Sequence, residues 1–211
     1  MNSAILTSPE SWFRPYAARL AAQIQAPLFS DHTQVPEDID TLFILSYFRV
    51  IPPANLTKRK HNLVVHESAL PSGRGWSPLF WQVIEGKREI PIVLFEATSE
   101  PDAGDIYLKD IIKLEGHELH DEIRALQAEK TLALCLRYLH EYDKIKPHSQ
   151  EGAATYYEKR TPMHSKLDPI KTIKEQFNLI RTVDNENYPA YFELEGHKYI
   201  LKISKDENPP S

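Results

Sequence analysis

Apolar and polar residues follow one another in blocks along this chain, and the spacing within each block predicts an element. Ala4 to Leu6 has strand length, with Ser8 as a helix N-cap and Pro9 at the first helical position. Trp12, Tyr16, Leu20 and Ile24 then recur at helical spacing. Pro27 to Phe29 reads as a short strand and Asp31 to Asp40 as a polar loop. Thr41 to Tyr47 is a continuous apolar run, the pattern of a strand covered on both faces of a parallel sheet. A short helix over Ala54 to Lys60 leads to a buried strand at Leu63, Val64 and Val65, which gives out into the loop Pro71-Ser72-Gly73-Arg74-Gly75. A helix from Ser77 to Glu85, stopped by Gly86, precedes strands at Ile90 to Ala97 and Asp105 to Leu114. Glu118 to Glu141 carries a wide apolar face from Leu119 to Leu139 and is the longest helix. A polar stretch from His148 to Asp168 follows, then a helix over Pro169 to Thr182. Two short strands flank the turn Glu195-Gly196-His197, and the tail from Asp206 reads as disordered.

Strands alternating with helices predict an α/β fold of three layers on a mainly parallel sheet, with a short C-terminal helix and β-hairpin. The composition shift near Lys146 divides the chain into a catalytic part, 1–145, and an extension, 146–205, packed on it. Charge narrows the partners. The 211 residues sum to a net charge of −5, with both signs scattered and no Lys/Arg-rich block, so a nucleic-acid partner is disfavoured. The lone Cys135, within a helical apolar pattern, suits a reducing compartment. Without a basic, apolar leader or a run of roughly 20 apolar residues, the expectation is a soluble cytoplasmic protein with no membrane partner.

The candidate chemistry starts at His66, where a buried strand ends in a Gly-rich loop. Open α/β sheets place their chemistry outside the carboxyl ends of strands, although a polar residue that merely ends a strand reads the same way. Its surroundings add to the signal. Val64-Val65-His66-Glu67-Ser68-Ala69-Leu70-Pro71, followed by Gly73-Arg74-Gly75-Trp76-Ser77-Pro78, resembles the signature of the formyltetrahydrofolate-dependent formyltransferases. Asp102-Ala103-Gly104 matches that family's Asp-x-Gly, and Ser46 to Pro52 is similar to its pterin-holding loop. Arg160-Thr161-Pro162, Ile180-Arg181 and Tyr188-Pro189-Ala190 are like the segment that follows the family's catalytic domain.

The resemblance implies a Rossmann-like formyltransferase domain, nearest to the small sugar N-formyltransferases of nonulosonic (pseudaminic-type) acid and O-antigen, or lipopolysaccharide, pathways. Such an enzyme moves a formyl group from 10-formyltetrahydrofolate to the amine of a nucleotide-linked amino sugar, with no metal. His66 would donate to the oxyanion, and Asp102 would orient it and help remove the amine proton, although Pro-Asp-Ala-Gly is also ordinary turn chemistry. Arg49, Val50, Ile51 and Asp102 would hold the pterin, and Arg74, Trp76 and Arg160 the acceptor, with Arg74 or Arg160 near its phosphates. Strands Leu63–Val65 and Ile92–Phe95, side by side and parallel, would bring the His66 imidazole and the Asp102 carboxylate within hydrogen-bond reach. Tyr156 and Tyr157 are further acceptor-side candidates. His117 and His120 with Glu118 and Asp121 carry a metal-ligand alternative, against a plain helix start.

One departure stands out. The family has Asn two residues before the histidine, donating to the oxyanion, and this chain has Val64. Losing such a donor typically lowers rate by about 10²–10³. Asn62 lies on the same strand face, but about 6.6 Å away along the strand. Ser68, a loop N–H or a substrate hydroxyl fills in, or catalysis is weakened. Two alternatives therefore stay open: a non-catalytic folate- or nucleotide-binding relative, and a methionyl-tRNA formyltransferase-like enzyme. A homodimer is allowed.

Overall fold

In the computed structural model, which describes residues 2–206, the elements run in the order β1 (Ser3–Leu6), α1 (Arg14–Ile24), β2 (Leu28–Phe29), β3 (Thr41–Ile44), α2 (Pro53–Leu56), β4 (His61–His66), β5 (Arg74–Gly75), α3 (Pro78–Ile84), β6 (Glu89–Glu96), β7 (Ile106–Lys113), α4 (His120–Glu141), β8 (Tyr156–Tyr157), α5 (Ile173–Arg181), β9 (Ala190–Leu194) and β10 (His197–Leu201). The expected disorder beyond residue 206 lies outside the described residues.

Six strands form one sheet in the order β2-β1-β3-β4-β6-β7. The first four are mutually parallel, so the expected α/β fold on a mostly parallel sheet is present. Alternation along each strand splits the apolar residues between two faces. Ile5, Phe43, Leu63, Ile92, Leu94 and Leu108 pack under α1, α3 and α4, with Cys135 buried among them. On the opposite face Ala4, Leu6, Leu42, Ile44 and Val64 meet the segments that carry the loops of the site. A separate small cluster, Leu167, Ile180, Val183 and Ala190, anchors the C-terminal hairpin β9–β10.

Two expectations are corrected here. Strand β6 runs antiparallel to β4, with Leu63 opposite Glu96 and His66 opposite Val93. Helix α3 advances only about 10 Å over its seven residues, and the chain re-enters the sheet beside the end it left. The second correction is at α1, which begins at Arg14, with Phe13 at the cap position. Ser8, the expected cap, instead accepts a hydrogen bond from the Phe48 N–H at 2.8 Å and ties the end of β1 to the loop after β3. Among the described residues, no helix is long and apolar enough to cross a membrane.

Candidate active site

Strand β4 presents Asn62, Val64 and His66 on the face away from the long helices, since its side chains alternate. His66 is buried, edge-on to the Phe95 ring, with Nε2 2.8 Å from the Gly73 carbonyl oxygen. A carbonyl only accepts, so this bond requires the proton on Nε2. Nδ1 has no protein partner among the described residues.

Beyond His66 the chain doubles back across the sheet face, held by Leu70, which packs on Val64, Val93, Phe95 and Ile106. It ends in the β5 pair Arg74–Gly75, parallel to Tyr156–Tyr157 of β8. At Gly75 φ is 97°, and a Cβ there would run into the Tyr157 carbonyl oxygen. The Gly73 N–H donates to Thr155 Oγ1 at 2.8 Å.

Asp102 lies in the turn between β6 and β7, in a left-handed conformation with φ 55°. Its Oδ2 accepts the Gly75 N–H at 2.9 Å. His66 and Asp102 therefore grip one segment two residues apart, and no hydrogen bond joins them. The expected direct contact is absent because β4 and β6 are antiparallel. The turn carrying Asp102 thus starts beside Asn62, where the Ala97 N–H meets the Asn62 carbonyl at 2.7 Å. It reaches the site only because the Gly73–Gly75 loop folds back to it.

Three residues from three segments brace this arrangement. Gln150 Nε2 donates to the carbonyls of Asp102 (2.8 Å) and Gly104 (2.9 Å), while its Oε1 accepts from Arg74 Nη2 at 2.9 Å. Arg74 Nη1 pairs with Glu100 at 2.7 Å. The Arg74 guanidinium expected at a substrate phosphate is thus already committed within the site. Neither Gln150 nor Thr155 was singled out by sequence, because the 148–168 stretch has no periodicity to place them. Gly104 is required where it stands, since a Cβ would strike the Glu96 carbonyl oxygen.

The remaining candidates fall in several places. Arg49 is exposed and pairs with Asp31 at 2.8 Å. The Thr33 N–H, followed by Arg49, holds the Asp31 carboxyl far below the usual range. Val50 is 89% exposed, whereas Ile51 packs in the same cluster as Val64. Backbone N–H and C=O groups of Arg49, Val50 and Ile51 make no hydrogen bond among the described residues, so they are free for the edge of a heterocycle. Trp76 is half-exposed with Lys159 Nζ 4.9 Å above its ring. Arg160 stands over Phe80 and Trp81 and donates to the Thr182 carbonyl at 3.3 Å. Tyr156 is exposed, and Tyr157 donates to Glu85 at 2.9 Å.

Asn62 turns its amide to α2, donating to the Leu56 carbonyl at 2.8 Å, and does not fill the place left by Val64. Ser68 Oγ, buried below Gly73, has no hydrogen-bond partner among the described residues. Glu118 accepts from the N–H groups of Glu115 and Gly116 and pairs with buried Arg181. His117 contacts Lys205, and His120 bonds Asp121 and stacks on Phe80. No group of three or more metal-ligating side chains gathers among the described residues.

With this geometry in place, comparison with known proteins is direct. The family model described as formyl transferase matches residues 19–137, more than half of the chain. The chain belongs to the formyl transferase family. Both His66 and Asp102 lie inside the matched region, whereas Gln150, Thr155 and Arg160 lie beyond it. A curated methionyl-tRNA formyltransferase of Rickettsia prowazekii is 30% identical over 161 residues, 71% of this chain and 53% of that protein. The chain thus spans about half the length of the curated relatives it matches. Among solved structures, a methionyl-tRNA formyltransferase from Clostridium thermocellum superposes with a TM-score of 0.81 at 19% identity, covering 100% of this chain and 96% of the other. A sugar N-formyltransferase from a Shewanella species superposes with a TM-score of 0.72 at 13% identity, covering 99% and 100%. These likenesses establish the formyltransferase fold.

Proposed function

We propose that this chain transfers a formyl group from 10-formyltetrahydrofolate to the amine of a nucleotide-linked amino sugar. The observation that carries the reading is the convergence of His66 and Asp102 on the Gly73–Gly75 loop, within the family-matched region. His66, with Nε2–H held by the Gly73 carbonyl, offers Nδ1 to take the proton lost as the amine attacks the formyl carbon. The imidazolium then returns a proton to the leaving folate nitrogen as the old C–N bond breaks. Asp102 places a carboxylate at the loop that His66 holds. Val64 offers no donor to the oxyanion, and Ser68, whose hydroxyl has no other partner among the described residues, is the candidate substitute. The free backbone of Arg49 to Ile51 suits the pterin edge. This is chemistry of the chain's own side chains, with the folate as donor substrate.

For the acceptor, a net charge of −5 without a basic block argues against a polyanion as large as tRNA. The assignment to nonulosonic-acid or O-antigen sugars, made in the cytoplasm, rests on the resemblance of the loop sequence. Methionyl-tRNA formylation is the second reading, favoured by the 30% identity to the curated relatives. A panel of amino-sugar nucleotides and charged initiator tRNA, each incubated with 10-formyltetrahydrofolate and read by mass, decides between them. The expected result is one added formyl group on a sugar nucleotide. Formylated tRNA with every sugar unchanged would reverse the assignment, and formyl transfer to neither would favour a binding-only relative.

A further inference from the structure

Three basic side chains surround the Phe80 ring, on the side of the sheet covered by α3 and α4. The Arg124 guanidinium lies between the rings of Trp12 and Phe80, 4.4 Å from each centroid. Arg160 is 6.0 Å from the same Phe80 centroid and from Trp81. His120 stacks on Phe80 at 5.1 Å with 11° between the planes. Neither arginine has a carboxylate within ion-pair distance among the described residues. Among the described residues, Arg124 donates to Gln127 Oε1 at 2.8 Å, its Nε is buried without a partner, and Arg160 hydrogen-bonds only the Thr182 carbonyl.

Nearby acids are engaged elsewhere. Glu67 accepts from Gln127 Nε2 at 2.6 Å, Asp121 bonds His120, and Asp184 accepts the N–H groups of Glu186 and Asn187. Folded proteins seldom leave two cations so close and partly desolvated without a counter-charge. Burial holds the Arg124 guanidinium down to about 10, Glu67 pulls it back up, and the positive charge of Arg160 lowers it further. Aromatic faces fix the plane of Arg124, a pre-set fork of the kind that grips phosphate or carboxylate. Through Gln127 and Glu67 the patch is two hydrogen bonds from the residue that follows His66.

We propose that Arg124 and Arg160, set around Phe80, form a binding site for an oxyanion group carried by one of the enzyme's two substrates. The group is the diphosphate of the acceptor or the glutamyl carboxylates of the folate. This rests on the formyl-transfer reading only for the identity of the carrier.

Inorganic pyrophosphate titrated into the full chain by calorimetry tests the site without requiring turnover. Arg160→Gln removes an ionic contact and Arg124→Lys replaces a planar fork with a point charge, so each should raise the pyrophosphate Kd about tenfold. Arg124→Lys keeps the charge between the rings, and Arg160→Gln alters a partly buried side chain held by one backbone carbonyl, so each is expected to stay folded. Arg19→Gln, at an exposed α1 residue paired with Glu129, should leave Kd unchanged. Steady-state kinetics then name the carrier. A raised KM for the sugar nucleotide alone assigns the diphosphate, and a raised KM that depends on folate glutamyl length assigns the carboxylates. Equal pyrophosphate affinity in wild type and both variants would overturn the site. So would weakened pyrophosphate binding with both KM values unmoved. An enzyme that formylates nothing but still shows the Kd shift would refute the proposed function and leave the site standing.

Discussion

Asp102 is the residue where charge and position can be separated. Asn in its place keeps an oxygen to accept the Gly75 N–H, so Asp102→Asn should hold the loop while removing the negative charge. Turnover should fall about 10²-fold with the melting temperature essentially unchanged, as measured by steady-state kinetics beside calorimetric melting. Gln150 acts on the same group from outside the family-matched region. Gln150→Ala removes both bonds that hold the left-handed Asp102 turn, and should lower kcat about tenfold with little change in either KM. A matching loss in KM would mark a role in binding instead. His66 and Asp102 were singled out in the sequence by the resemblance of their motifs to the formyltransferase signature; the apolar run before each only placed them at strand ends. Gln150 was not, since a single glutamine in an aperiodic stretch leaves no trace of where its amide points.

At the scale of elements, local pattern located nearly every strand and helix but not how they are set against each other. Ile90 to Ala97 reads as a buried strand in either direction, and its apolar pattern carries no sign that it runs antiparallel to β4. Pairing of Arg74–Gly75 with Tyr156–Tyr157 was equally silent, because two-residue strands are too short to show a period. Another inter-element link, Arg181 of α5 with Glu118 before α4, is 1% and 8% side-chain exposed. Removing one partner strands the other charge, so Arg181→Ala should cost about 3 kcal/mol in denaturant unfolding. Burial raises the Glu118 carboxyl, yet the N–H groups of Glu115 and Gly116 outweigh it and hold it below its ordinary value. A depressed folded pKa contributes stability above the unfolded value of about 4.3 and loses it as pH falls further. Glu118→Gln should therefore flatten the acid limb of the stability curve below that pH, and leave the neutral limb parallel to wild type.

Across the whole molecule, one face of the sheet carries the long helices, the core and the Phe80 patch, and the other carries the proposed His66 and Asp102 chemistry. The β4 alternation assigns Leu63 and Val65 to the first and Val64 and His66 to the second. Residues beyond 145 complete the second face, since Thr155 and Gln150 hold the loop and turn that His66 and Asp102 share. The account stands or falls on His66 moving a proton during formyl transfer. Its most direct test is the single-turnover rate of formyl transfer, read by mass, for wild type and His66→Asn at matched folding. The prediction is a fall of about 10²-fold or more in the variant, with its melting curve unmoved. Near-equal rates in the two proteins would contradict it.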